Sequence, residues 1–266
     1  MKKILFILLG LVLMFTLVGC KEKEPVEKPD DKPIDNPDNP NPDDPNPDNP
    51  DNPDTPDPEP EKGLTVKNLQ EALLAVEKEY NESKKAAVSV ELKNGEETMS
   101  VLLVYELNND NLYKSLQYEL VSEKTVAIYI KDDVVYSTAN GTKSKETLDE
   151  TVNETIANDY GLQALLQKIT AFYKENGLYN CLTLASSSEE GVYVFDIDLV
   201  KYAEITNATF KAAGKDKISI IVTTVDEKIT SVKVETTAQN KVSSTTVNYL
   251  GFDKNPQYPS DLDTYK

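Results

Sequence analysis

The 266-residue chain has no His and no Trp, only two Cys and only ten Gly. Without His there is no Ser-His-Asp or Cys-His catalysis, no imidazole-ligated zinc or haem, and no imidazole switch near neutral pH. Basic residues are scarce as well. Against 46 acidic side chains stand 28 basic ones, and a net charge of −18 lacks the clustered cations that a nucleic-acid partner requires. Walker A, G-x-G-x-x-G and CxxC spacings do not occur, so nucleotides, dinucleotide cofactors and structural zinc have no support. No cofactor and no metal are expected, and any catalysis would fall to carboxylates, Lys, Tyr or hydroxyls.

The charge that is present is unevenly placed. Residues 1–20 carry only Lys2 and Lys3, whereas residues 21–62 hold 15 acids, 5 Lys and 13 of the 15 prolines. The remaining 204 residues, 63–266, carry 31 acids and 21 bases, a mixture compatible with one domain that has its own core. Three segments follow: a signal peptide at 1–19, a tether at 20–62 and a folded domain at 63–266.

Met1-Lys2-Lys3 precedes fifteen uncharged residues, Ile4 to Val18, and then Gly19-Cys20. A charged start before an apolar run this short reads as a secretory signal, because a membrane-spanning helix needs ~20 apolar residues. Leu17-Val18-Gly19-Cys20 resembles the lipobox of bacterial lipoproteins. That resemblance implies a diacylglyceryl group on the Cys20 thiol, cleavage after Gly19, and a mature protein held on the outer face of the cytoplasmic membrane. Two acyl chains matter, since each buried CH2 contributes ~0.8 kcal/mol and a single chain binds a bilayer only marginally. Once Cys20 is acylated Cys181 has no cysteine left to pair with, and its apolar, strand-like context reads as a small buried hydrophobe more than a reactive thiol.

From Glu24 to Glu61 the chain repeats Asp, Asn and Pro, with Val26 and Ile34 as the only aliphatic residues and no aromatic one. Such a segment cannot bury enough apolar surface to offset its ordering entropy, and Pro with like charge keeps it extended. At ~3.1 Å per residue it would reach on the order of 100 Å. Calcium ligation by these Asp and Asn oxygens lacks the loop spacing and central Gly of an EF-hand.

Beyond Thr65, apolar residues recur at helical spacing as Val66, Leu69, Leu73, Val76 and Tyr80. Short runs of Val, Ile, Tyr and Thr then alternate with turn residues: 86–93, 98–107, 112–121, 125–131 and 134–139, with Asn94-Gly95 predicting a type I′ hairpin. The segment Leu148 to Asn176 returns to helical spacing, jointed at Gly161, and strands resume at 178–185, 192–198, 218–225, 229–237 and 242–250. Lys201 to Ile205 reads as one further helical turn. Several strands, among them Val101-Leu102-Leu103-Val104, are apolar on both faces, so both faces need cover. A sandwich-like core satisfies that demand, and so does a curved sheet whose helix-capped side encloses an apolar cavity.

The order of these elements resembles the LolA/LppX-like superfamily of lipoprotein carriers and lipid-binding lipoproteins. The features that carry the likeness are the leading helix at Val66 to Tyr80, the long meander, the helical insert at Leu148 to Asn176, and the ending Asn248-Tyr249-Leu250-Gly251-Phe252 followed by Tyr258-Pro259-Ser260-Asp261-Leu262-Asp263. It implies an α+β fold: a curved antiparallel sheet of about ten strands, an incomplete β-barrel, with helices covering the concave face around a cavity for lipid or acyl chains. A soluble shuttle of that superfamily is not lipidated, whereas this chain carries Cys20, and no ligand-contacting motif transfers.

Candidate chemistry is sparse. Asp196 and Asp198 would share a strand face, as the two carboxylates of an acid/base pair do, but Asp-x-Asp on an exposed face also reads as plain polar alternation. Ser186-Ser187-Ser188 is a hairpin loop and no nucleophile elbow. Tyr105, Tyr113, Tyr118, Tyr129 and Tyr136 recur through the meander, as strand packing or as rim contacts for an amphiphile. The expectation is a non-enzymatic, membrane-anchored lipoprotein that binds a hydrophobic or amphiphilic ligand. The alternative is a cell-surface module with a filled core that contacts a protein or polymer through its acidic surface or sheet edges. Exchanging Cys20 for Ala should release the protein from membranes on fractionation; unchanged retention would contradict the lipobox reading.

Overall fold

In the computed structural model the described residues are 63–123, 125–170, 177–185, 189–206, 216–238 and 240–266. They belong to one compact unit, Gly63–Lys266. The leading segment folds as read from its spacing. Thr65 caps helix α1 (Val66–Glu82): its side chain accepts from Asn68 N, while Asn68 Oδ1 accepts from Thr65 N at 2.7 Å. This reciprocal pair satisfies two donors that a helix start leaves orphaned. The buried stripe of α1 is Leu69, Leu73, Val76 and Tyr80, which lies on the sheet.

Eleven antiparallel strands make one open sheet: β1 (Lys85–Asn94), β2 (Glu97–Leu107), β3 (Tyr113–Val121), β4 (Val126–Lys131), β5 (Val134–Ala139), β6 (Thr142–Thr147), β7 (Leu182–Ala185), β8 (Val192–Ile197), β9 (Lys217–Val225), β10 (Lys228–Ala238) and β11 (Lys241–Gly251). Their spatial order is β6-β5-β4-β3-β2-β1-β11-β10-β9-β8-β7. Two meanders therefore join at the β1–β11 pair, where the last strand returns beside the first, and the two outermost strands do not meet. The fold is α+β with an unclosed barrel-like sheet. Helices α2 (Glu150–Tyr160), α3 (Leu162–Thr170) and α4 (Leu199–Thr206) complete it.

Three local expectations change. Strand β6 was not legible, because Thr-Lys-Ser-Lys-Glu-Thr has no apolar face; the Asn140-Gly141 turn, with both φ positive at 52° and 78°, folds it back onto β5 as a polar edge. The β1–β2 turn sits one residue later than Asn94-Gly95. Asn94 pairs with Glu97, and of the two loop residues Gly95 and Glu96 only Gly95 has positive φ (62°), the type II′ arrangement with Gly first. The run expected as a strand at 178–185 begins instead as a 3₁₀ turn, Leu178–Cys181, launched from Gly177 at φ 88°. Residues 171–176, the expected end of the helical insert, lie outside the described residues.

The demand for cover on two faces is met without a second sheet. On the outer face the chain after β11 runs as a strap. Tyr258 packs on Tyr129 at 6.3 Å between ring centroids and donates to Ile130 O at 3.0 Å, and Gln257 N donates to Gln117 Oε1 at 2.8 Å. Farther along, Tyr265 packs edge-on against Tyr136 at 5.6 Å, bonds Thr138 Oγ1 at 2.7 Å, and Lys143 pairs with Asp261. Finally Lys145 N donates to Lys266 O at 2.9 Å, so the strap also takes up one outward donor of edge strand β6. Under it lie outer-face residues that are buried, including Val104, Ala127 and Tyr129.

Tyr265 is 4% exposed and ties the strap to β5. Truncating a buried aromatic costs ~3–5 kcal/mol, so Tyr265→Ala should lower the urea midpoint of unfolding strongly. Tyr265→Phe, which keeps the ring, should cost about 1 kcal/mol for the hydrogen bond alone.

Candidate functional site

The strand register builds the inner face in rows. Val88, Leu103, Tyr118 and Ile128 stand abreast across β1 to β4, with Val90, Val101, Leu120 and Val126 in the next row. On the other half Val247, Val232 and Val222 align, then Ile220 with Phe195 and Ile197 with Leu182. All of these are buried. Helix α1 reaches β10, β7 and the 3₁₀ turn, while α2 lies on β3, so the helices cover the inner face from two sides.

Tyrosines and one Asn hold this arrangement. Asn153 of α2, 3% exposed, donates to Tyr113 O and accepts from Tyr113 N, both at 2.9 Å, a two-bond clamp onto the first residue of β3. Tyr113 OH accepts from Leu162 N at the start of α3. A Cβ on Gly161 would overlap Ala157 O and press on that hydroxyl, which is why the helix joint is Gly. Tyr105 OH donates to Tyr80 O at 3.1 Å, and Tyr80 OH accepts from Gly251 N at 2.7 Å, joining α1 to β2 and β11. Tyr118 meets Tyr160 edge-on at 5.1 Å. Asn153 escaped sequence reading because a polar residue in a helix counts against its apolar stripe; its only signal is its place between Val152 and Ile156.

One stretch of the inner face is less well covered. Met99, Leu92, Thr245 and Val234 align across β2, β1, β11 and β10, with Thr236 and Ile218 in the row beyond, and all six are half-buried. Leu92, Met99 and Ile218 pack against the core while keeping part of their surface in solvent. This is an apolar mouth rimmed by hydroxyls, opening directly on the fully buried Val90 and Ile220. A second groove, of about 380 Å³ and lined by Gln70, Glu71, Leu74, Ala75 and Lys78, lies on the solvent side of α1.

The residues singled out for chemistry do not converge. Asp196 lies on the outer face, accepts from Ser219 Oγ at 2.8 Å and pairs with Lys217 at 3.0 Å. Asp198 falls after β8 and caps α4, accepting from Val200 N at 3.1 Å and Lys201 N at 3.2 Å. Cys181 is buried in the 3₁₀ turn, where burial raises its thiol above the ordinary range, and its Sγ contacts Gly177 O at 3.5 Å. Cys20 and Ser186 to Ser188 lie outside the described residues. No three Cys, Asp or Glu side chains among the described residues are grouped as metal ligands would be.

Burial holds Tyr105 and Tyr179 up at about 12, and it raises Tyr113 and Tyr118 as well. A folded-state value above the unfolded ~10 stabilises fully below pH ~10 and is lost as pH climbs through the folded value. The fold should therefore hold at pH 9 and weaken between about 10 and 12. Tyrosinate absorbance of these buried rings should rise later than that of a free phenol and together with unfolding; a single unshifted titration would contradict this packing.

No family model matches the chain, and no curated protein matches it. Among solved structures it is similar to the lipoprotein LppX of Mycobacterium tuberculosis, at 9% identity over 72% of this chain and 96% of that one, with a TM-score of 0.34. It is also similar to LprF from Mycobacterium bovis, at 12% identity over 72% and 95% of the two chains, again with a TM-score of 0.34.

Proposed function

We propose that this chain is an extracytoplasmic lipoprotein, anchored through Cys20 with residues 20–62 as its tether, whose domain shelters the acyl chains of a lipid or other amphiphile and does no chemistry on them. The observation that carries the reading is the half-buried apolar row Met99–Leu92–Thr245–Val234 with Ile218, continuous with the buried inner face. Apolar side chains left partly wet beside a dry interior, edged by Thr hydroxyls, suit a ligand with a greasy body and a polar end. The carboxylates weighed as catalytic are engaged elsewhere, in a surface ion pair and a helix cap.

Native mass spectrometry of the full chain, extracted from the membranes in which it was made, should show lipid adducts beyond the covalent anchor. Val234→Asp sets a charge in the mouth, where an alkyl chain would have to desolvate it; it should lower adduct occupancy roughly tenfold or more while far-UV circular dichroism is unchanged. Wild-type protein that neither carries nor takes up lipid would overturn the proposal.

A further inference from the structure

Among the described residues, the Thr170 hydroxyl is buried without a hydrogen-bond partner. Thr170 closes the buried stripe of α3, at i+8 from Leu162 and i+4 from Leu166; Leu162 is 5% exposed, Leu166 and Thr170 are 0% exposed, and Thr170 Oγ1 bonds to nothing. Both leucines belong to the core cluster, so the hydroxyl is carried into the same apolar interior. A Thr in a helix ordinarily returns its hydroxyl to the carbonyl one turn back, as Thr155 does to Thr151 O at 2.8 Å. A buried hydroxyl left unsatisfied is costly, and Val would fill the same volume without that cost.

We infer that Thr170 Oγ1 is the contact that reads a neutral acceptor on the bound lipid, the ester carbonyl where an acyl chain joins its headgroup. This deepens the lipid-binding reading and rests on it. The charge of the interior selects the acceptor. The chain contains no Arg, and none of the described Lys side chains is buried, so a carboxylate or phosphate carried to this depth would meet no cation. An ester carbonyl needs only a donor, and the Thr hydroxyl is a donor free to rotate toward it. The ligand class is thus an acyl ester such as a glycerolipid, in preference to a hydrocarbon, an ether lipid or a free fatty acid anion.

The test compares two probes on the full chain, a neutral 1,2-diacylglycerol and its dialkyl ether analogue, which lacks the carbonyls, each delivered in vesicles of dialkyl phosphatidylcholine. Wild type should retain the ester probe over the ether probe by about fivefold, the worth of one neutral hydrogen bond. Thr170→Ser should keep that preference and Thr170→Val should abolish it without weakening ether binding. Without lipid, Thr170→Val should melt at or above the wild-type temperature, because it removes an unpaired polar group. Equal retention of both probes by wild type, or a preference that survives Thr170→Val, overturns the Thr170 contact and leaves the lipid site standing. A clear drop in the lipid-free melting temperature of Thr170→Val would show the hydroxyl already satisfied within the protein, and overturns it too. Retention of neither probe by wild type overturns the contact together with the lipid-binding reading.

Discussion

An eleven-stranded sheet that does not close on itself must cover two broad faces and manage two edges, and most of this structure follows from that requirement. Burying apolar area contributes ~25 cal/mol per Å², so rows of Val, Leu and Ile across ten or more strands are stabilising only when something lies on them. On the inner face the cover is helical. Helix α1 spans toward β10 and β7, and the α2–α3 pair lies over β3, fastened there by the Asn153 clamp. On the outer face it is the fifteen residues after β11, held by the rings of Tyr258 and Tyr265.

The edges are handled by different means. Strand β6 is short, rich in Lys and polar on both faces, and one of its outward donors is taken up by Lys266 O. Strand β7 is shorter still, four residues, which limits the template it offers to another chain. These devices keep a large unclosed sheet from extending itself. The inner-face mouth lies where the β1–β2 turn and the starts of β9 and β11 come together, and there the apolar residues are half-buried instead of dry.

Tyrosine is the residue through which the layers are joined. Tyr80, Tyr105 and Tyr113 each bury a ring and spend the hydroxyl on a backbone group of another element, a combination available to a residue with an apolar body and a polar tip. Thr170 offers a hydroxyl in the same interior without such a partner. The interior is therefore apolar with a small number of placed hydrogen-bonding groups and no cation among its described residues.

Much of the fold was legible along the chain because its signals are local. The Thr65 cap, the stripe of α1, the Gly161 joint and ten of the strands each follow from periodicity or turn chemistry within a dozen residues. Strand β6 was not, since an edge strand with no buried face has no hydrophobic period to read, and the β1–β2 turn moved by one residue because register is set by the faces that must be buried. The pairing of β1 with β11, the strap over Tyr129 and Tyr136, the separation of Asp196 from Asp198, and the row joining Met99 to Val234 depend on residues more than a hundred positions apart or on which side of the sheet a residue falls. The sequence by itself determined which segments are helix, strand or turn and the net charge of −18. The tertiary structure decided which apolar residues stay partly wet and which hydroxyl is left unpaired, because exposure and hydrogen-bond satisfaction are properties of neighbours that the chain brings together only on folding.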